Sequence, residues 1–230
     1  MHPDAWTWGH GMRPLFDDRV DAGRQLAGAL RGVTPRAPLV VLALPRGGVP
    51  VGYEVAAALH APLGVITVRK LGVPGQEELA FGAVASGGLR YLDEEIIARA
   101  GVSPKIVEAV TARERVELDR RDRIYHEHHP FPEVAGSSVA IIDDGVATGS
   151  TMLAAIAAVR EKHPAEIIAA APVMSVEAAA LLARAADACV AVAEPDPFMG
   201  VGLWYRDFSQ TQDEEVLALL EQANSTARTT

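Results

Sequence analysis

The sequence predicts an α/β fold, doubly wound around a mostly parallel sheet, with one added charged helix. Three observations predict it. Apolar runs without polar alternation occur at Leu39–Leu44, Gly64–Val68, Val139–Ile142, Ile167–Val173 and Cys189–Ala193. Their length suits strands, and strands apolar on both faces belong inside a parallel sheet covered on both sides. Helical patterns at Val49–Leu59, Met152–Arg160 and Ser175–Ala186 alternate with them, as in βαβ units. Two of the runs end in Gly-containing loops that carry charged or hydroxyl residues, and open sheets of this kind bind ligands beyond the carboxyl ends of their strands.

The remaining elements follow in order. Phe16-Asp17-Asp18-Arg19 leads into a helix ending at Leu30. The stretch Ala83–Phe131 interrupts the strand–helix alternation. Gly87-Gly88 can turn a short hairpin of Ala83–Ala85 against Leu89–Leu92. Asp93 can cap a helix Glu94–Ala100, and Ser103-Pro104 supplies the N-cap and first position of a longer one, Pro104–Glu127. That helix carries Arg113-Glu114-Arg115 and Asp119-Arg120-Arg121-Asp122-Arg123. Mixed signs at helical spacing describe a solvated face with i,i+4 pairs; a dimer contact is the alternative. His126, His128 and His129 close it. An exposed helix end accounts for them better than a metal site, because no acidic or Cys partner nearby completes a tetrahedral set. Asp213-Glu214-Glu215 opens a last amphipathic helix through Glu221, and the tail Asn224–Thr230 reads as disordered.

The 230 residues suit one domain, 1–230, with a core at about 36–193 and an inserted helical region at about 93–130. No segment is long and apolar enough to span a bilayer, and Met1-His2-Pro3-Asp4 does not start a signal peptide. Cys189 is alone, which fits a reducing cytoplasm and a small core residue. A net charge of −9 argues against a nucleic-acid partner.

The segment that carries chemistry is Val139-Ala140-Ile141-Ile142-Asp143-Asp144-Gly145-Val146-Ala147-Thr148-Gly149-Ser150-Thr151-Met152. An apolar strand ends in two carboxylates, a loop of small and hydroxyl residues follows, and a helix begins. Carboxylates accept hydrogen bonds from vicinal ribose hydroxyls. Small residues let backbone N–H groups close around a phosphate, and the helix N-terminus adds unpaired donors and its positive dipole end. Thr148, Ser150 and Thr151 can add hydroxyl donors.

This segment resembles the phosphoribosyl-diphosphate (PRPP) signature of the type I phosphoribosyltransferases. The resemblance implies that Asp143 and Asp144 hold the ribose, directly or through Mg²⁺, and that Gly145, Val146, Ala147, Thr148, Gly149, Ser150 and Thr151 hold the 5-phosphate. Leu44-Pro45-Arg46-Gly47-Gly48 stands where the family has a pyrophosphate loop containing a cis peptide, here either Leu44–Pro45 or Pro45–Arg46. Arg46, Gly47 and Gly48 would therefore meet pyrophosphate. Val68-Arg69-Lys70-Leu71-Gly72-Val73-Pro74-Gly75-Gln76-Glu77-Glu78-Leu79-Ala80-Phe81-Gly82 is similar to the flexible catalytic loop of adenine phosphoribosyltransferases. Arg69 and Lys70 would neutralise pyrophosphate, in this subunit or across a homodimer. Glu77 and Glu78 would manage the acceptor proton, or would simply be solvated on a surface loop.

Pro195-Asp196-Pro197-Phe198 and Val201-Gly202-Leu203-Trp204-Tyr205-Arg206-Asp207-Phe208 resemble the hood of the 6-oxopurine phosphoribosyltransferases, at about 194–210. Phe198 would stack on the base and Arg206 would reach pyrophosphate. Trp204 would stack or pack beneath the hood. Ala147 matches the adenine enzymes rather than the 6-oxopurine ones, no Lys follows Lys162, and the hood lacks the family's Mg-coordinating Asp. The loop is thus adenine-like and the hood 6-oxopurine-like. The resemblance spans about Leu39–Val173 plus the hood, leaving the N-terminal helix and the charged helix outside. As a whole the chain resembles uncharacterised bacterial phosphoribosyltransferase-like proteins. It implies Mg²⁺-dependent transfer from PRPP to a nitrogen nucleophile, a nucleobase first of all. A non-catalytic protein that binds PRPP or a nucleotide and regulates is the alternative.

Overall fold

The computed structural model describes residues 13–127 and 129–227. Five strands form the parallel sheet: β1 (Leu39–Ala43), β2 (Leu63–Val65), β6 (Ser138–Ile142), β7 (Glu166–Val173) and β8 (Ala188–Ala193), in the spatial order β2-β1-β6-β7-β8. Their apolar runs divide by alternate residues between two cores, as the two-residue period of a strand requires. Val40 and Leu42, Val139 and Ile141, and Ile167, Ala169 and Ala171 enter one core, closed by helices α5 (Ser150–Arg160) and α6 (Val176–Ala185). Val41, Ala43, Ala140, Ile142, Ile168 and Ala170 enter the other. Helices α1 (Arg19–Leu30), α2 (Gly48–Leu59) and α7 (Asp213–Ala227) cover that face through Leu26, Val55, Val216 and Leu220. The doubly wound α/β expectation is met.

Three differences have physical causes. The second expected run, Gly64–Val68, is two elements: β2 ends at Val65, and Val68 opens β3 (Val68–Val73) of a separate sheet. The segment expected as a flexible loop is largely strand. β3 and β4 (Gln76–Ala85) form an antiparallel ribbon, extended by β5 (Leu89–Leu92). Leu71, Val73, Phe81 and Val84 give this ribbon its own core against Val107, Val110 and Leu118 of α4 (Pro104–His126). The charged helix is thus solvated on one side only, with Glu114 and Tyr125 also turned inward. Lastly, α7 continues to Ala227 through part of the tail expected to be disordered.

Asp93 and Ser103 cap α3 (Glu94–Arg99) and α4 as expected, accepting from the N–H groups of Ile96 and Ile106. Among the described residues no helix is long and apolar enough to cross a membrane. Met1–Asp4, His128 and the last three residues lie outside the described residues.

Candidate active site

The acidic pair sits where β6 ends, at the centre of the parallel sheet. The N–H of Asp144 donates to Asp143 Oδ1 at 2.9 Å. Burial, with the adjacent Asp144 carboxylate, pushes Asp143 well above the usual carboxylate range. Burial raises Asp144 as well, and the Arg19 guanidinium opposes that rise. Arg19 Nε donates to Asp144 Oδ2 at 2.8 Å, with the two side chains only 12% and 14% exposed. Arg19 Nη1 donates to the Ser209 carbonyl at 2.6 Å, and the guanidinium lies 4.1 Å from the Phe208 ring centroid. Sequence reasoning missed Arg19, whose partner lies 125 residues away; its place at the first turn of a helix capped by Asp18 gave no hint of it.

Gly47 and Gly48 close over the pair from the loop after β1. A Cβ on Gly47 would overlap Asp144 Oδ2 and stand 2.7 Å from its Cγ. A Cβ on Gly48 would stand 2.8 Å from the Ile142 carbonyl oxygen and 2.9 Å from Asp143 Cα. The cis peptide of this loop is Pro45–Arg46.

The loop after the pair is fastened from below. The Val146 N–H donates to the Val173 carbonyl at 2.9 Å, and Ser175 Oγ donates to the Ala147 carbonyl at 2.7 Å. Gly149, at φ +77°, precedes α5 and has no side chain to cap it. Thr148 Oγ1 accepts from the Ser150 N–H at 3.4 Å, a long contact. The first turn of α5 therefore keeps N–H groups without a side-chain cap, a geometry suited to an anion; Ser150 lines the hollow on the ribbon side and Thr151 the cleft on the Arg46 side.

Arg46 faces a cleft of about 490 Å³ together with Thr67, Arg120, Arg121, Tyr125, Thr151 and Asp213. Its Nη1 lies 3.9 Å from Asp213 Oδ2. The Tyr125 hydroxyl donates to Asp213, and burial with this carboxylate lifts its proton affinity far above that of a free phenol.

Other expected residues lie elsewhere. Arg69 and Lys70 are neighbours on a strand and so point to opposite faces. Arg69 Nη2 donates to Glu114 Oε2 of α4 at 2.6 Å. Burial alone would raise Glu114, but Arg69 and Arg113 outweigh it and hold its proton affinity down. Lys70 lines a different hollow, of about 530 Å³, between α5 and the ribbon, with Tyr91, Asp93 and Arg160. Glu77 sits at the ribbon tip and accepts from the Gly75 N–H at 3.1 Å, and backbone donors lower its proton affinity. The Glu78 side chain lies outside the described residues.

In the hood, Arg206 departs from expectation. It is 74% exposed and pairs with Asp17 at 2.6 Å, because the chain around Phe16 runs beside Tyr205 as a parallel bridge. Trp204 is core, packed with Phe16, Ala22, Val173 and Tyr205, which removes it as a stacking platform. Phe198 lies half-buried against that cluster. Val201 presses on the acidic loop, since a Cβ on Gly145 would overlap its Cγ1 and lie 2.9 Å from its Cγ2. The Tyr205 hydroxyl donates to the Asp144 carbonyl. His126 Nδ1 is 2.9 Å from the His129 carbonyl oxygen, and its Nε2 is 3.8 Å from Asp122. No group of three or more His, Cys, Asp or Glu side chains suited to a metal occurs among the described residues.

A strand-end acidic pair, a glycine loop pressed against it and a helix start without a side-chain cap thus meet at the carboxyl edge of an open α/β sheet. Residues 16–188 match the phosphoribosyl transferase domain, and the chain belongs to that family. The match includes the N-terminal helix and the charged helix, both outside the expected resemblance. More particularly, the chain is similar to Rv0571c of Mycobacterium tuberculosis H37Rv, provisionally named a phosphoribosyl transferase. The two are 43% identical over 210 residues, 91% of this chain and 47% of that protein. The same figures hold for its counterpart MT0597 in strain CDC 1551. The chain thus spans about half the length of the curated relatives it matches. It is also similar to the crystal structure of TT1426 from Thermus thermophilus, at 41% identity and a TM-score of 0.84, covering 90% of this chain and 98% of that one.

Proposed function

We propose that this chain transfers the 5-phosphoribosyl group of PRPP to a nitrogen nucleophile, a nucleobase first of all, and releases pyrophosphate. The observation that carries the reading is the acidic pair held beside the uncapped start of α5 in a chain of this family. The bond from C1 to the pyrophosphate oxygen breaks, the electron pair leaves with pyrophosphate, and the nitrogen forms the new bond to C1. The sugar carries positive character in between, so the protein's task is to position the partners and stabilise the leaving anion.

Asp143 and Asp144 accept from the ribose hydroxyls, and Asp144 is the more fully ionised because Arg19 neutralises it. Gly145–Thr151 and the first N–H groups of α5 hold the 5-phosphate. Gly47 and Gly48 bring backbone beside the acids, and Arg46 meets pyrophosphate from the next cleft. Phe198 is the aromatic left for the base.

A hard divalent ion fits this donor set in one way. Two adjacent carboxylates with raised proton affinity favour a cation, but the described side chains supply too few ligands for an all-protein cage. Mg²⁺ would therefore rest on Asp143, Asp144, waters and PRPP oxygens, and would supply charge neutralisation of the diphosphate.

Lys70 lines a hollow separate from the Arg46 cleft, which favours a role across a homodimer. Light scattering gives the oligomeric state. A cytoplasmic location belongs to the same reading and rests on the lone Cys189.

The test is pyrophosphate release from Mg·PRPP against purines, pyrimidines and small amines, with Asp144→Asn as comparison. Release with one acceptor, lost in the variant while its circular dichroism is unchanged, is the expected result. Equal release by the variant would sink the assignment of the acids. PRPP binding without release would favour the regulatory alternative.

A further inference from the structure

We propose that α4 supplies the outer wall of the pyrophosphate site, with Arg120 and Arg121 binding the diphosphate opposite Arg46. The inference rests on the PRPP reading above and gives the charged helix a task in it.

The argument starts from helix geometry. Arg120, Arg121, Ile124 and Tyr125 stand at i, i+1, i+4 and i+5, one side of α4, and all four line the cleft that holds Arg46 and Thr151. Thr151 belongs to the first turn of α5 and Arg46 to the loop after β1. A ligand with one phosphate at α5 and a diphosphate directed at Arg46 therefore runs into α4. Three arginines from two elements line it, against Asp213 within the cleft and Glu117 beside it. That excess suits a highly charged anion, and guanidinium forks suit its paired oxygens.

Both α4 arginines are accessible to solvent. Their side chains are 64% and 48% exposed, and both rest on Glu117, one helical turn back. Arg121 gives Glu117 only its Nε, at 3.1 Å, which leaves both Nη groups for a ligand. Arg120 gives Nε and Nη2, at 3.0 and 2.9 Å. Arg123, on the other side of the helix, lines a separate hollow with Asp119, Asp122 and His126 and provides the internal control.

The experiment is calorimetric titration of the full chain with inorganic pyrophosphate in Mg²⁺, alongside ribose 5-phosphate. Arg120→Gln and Arg121→Gln should each weaken pyrophosphate by roughly tenfold, the scale of one charge-assisted hydrogen bond. Ribose 5-phosphate should be unaffected. Arg123→Gln should match the wild type. Glu117→Gln should bind pyrophosphate at least as tightly, because it frees both arginines; a merely structural role for the ion pairs would instead weaken it. Unchanged pyrophosphate affinity in both arginine variants, an equal loss in Arg123→Gln, or no pyrophosphate binding by the wild type would overturn the proposal. Turnover by the wild type with an unchanged KM for PRPP in Arg120→Gln and Arg121→Gln would overturn it while leaving the transfer reading intact. Arginine-dependent pyrophosphate binding without turnover would do the reverse.

Discussion

Gly47→Ala tests whether the acidic pair is assembled as described. Gly47 has φ −61° and ψ −31°, a conformation any residue adopts, so backbone strain does not enter. At this N-cap position glycine is preferred over alanine, so propensity adds a small cost of its own. Packing supplies the larger one. Ordinary contact begins near 3.4 Å, yet the new Cβ would lie 2.7 Å from Asp144 Cγ and overlap its Oδ2. The carboxylate must retreat by more than an ångström, which withdraws it from Arg19 Nε. Overpacking costs about 1–3 kcal/mol, and loss of a partly buried charged hydrogen bond costs about 1.5–3 kcal/mol. The net expectation is a destabilisation of about 2–4 kcal/mol, or roughly 5–15 °C in Tm for a chain of this size. An ångström of misplacement should also lower pyrophosphate release about a hundredfold. Thermal unfolding followed by circular dichroism reads the first effect and the release assay the second. Gly28→Ala is the matched control, because nothing lies within 4 Å of its new Cβ on α1; it should raise Tm slightly. If Gly47→Ala behaved like Gly28→Ala in both assays, the described packing of Asp144 would be wrong.

Asp143→Asn should stabilise the ligand-free protein at neutral pH. The wild-type carboxylate has its proton affinity raised by burial and by Asp144, so the native state keeps a proton that the unfolded chain has lost. Wild-type stability is then full below the unfolded carboxylate range and falls as pH rises toward the raised native value. Urea melts from pH 4 to 8 should show the variant's advantage growing with pH, and a constant difference would contradict this. Tyr205→Phe removes the hydroxyl that donates to the Asp144 carbonyl and should cost about 1–2 kcal/mol by leaving that group unpaired, measured by urea midpoint at unchanged m. Ser175→Ala removes both the cap of α6 and the tie to the Ala147 carbonyl. It should cost about 1 kcal/mol and speed amide exchange in residues 145–149, read by hydrogen–deuterium exchange.

The parallel sheet was legible because its strands are apolar on both faces, those at its centre buried throughout, so composition alone marks them. Asp143-Asp144 and the following loop were legible because the chemistry lies in one continuous segment. The ribbon was not, since Gly72, Pro74 and Gly75 read locally as a loop and only the distant Val107, Val110 and Leu118 make it worth folding as strands. Arg69 and Lys70 looked like one cationic unit, but strand alternation separates them. Arg206 was misplaced because its partner Asp17 reaches it through a bridge between chain ends. Arg120 and Arg121 read as part of a solvated face, which they are until the cleft beside them is seen.

The bond from Arg19 to the Ser209 carbonyl spans 190 residues, and it bears on the order in which the molecule is made. A ribosome delivers the N-terminal end first, at about 5–20 residues per second. Arg19 emerges long before Asp144 has been synthesised, and Phe208 and Ser209 come later still. The sheet can pair while the nascent chain still lacks Phe208 and Ser209, two of the groups that fix Arg19. Closure of the acidic site is therefore a late event of biogenesis, completed only when the hood has left the exit tunnel. A ribosome stalled before residue 204 would hold a chain whose sheet and acidic pair are made but whose Arg19 lacks its Ser209 and Phe208 anchors.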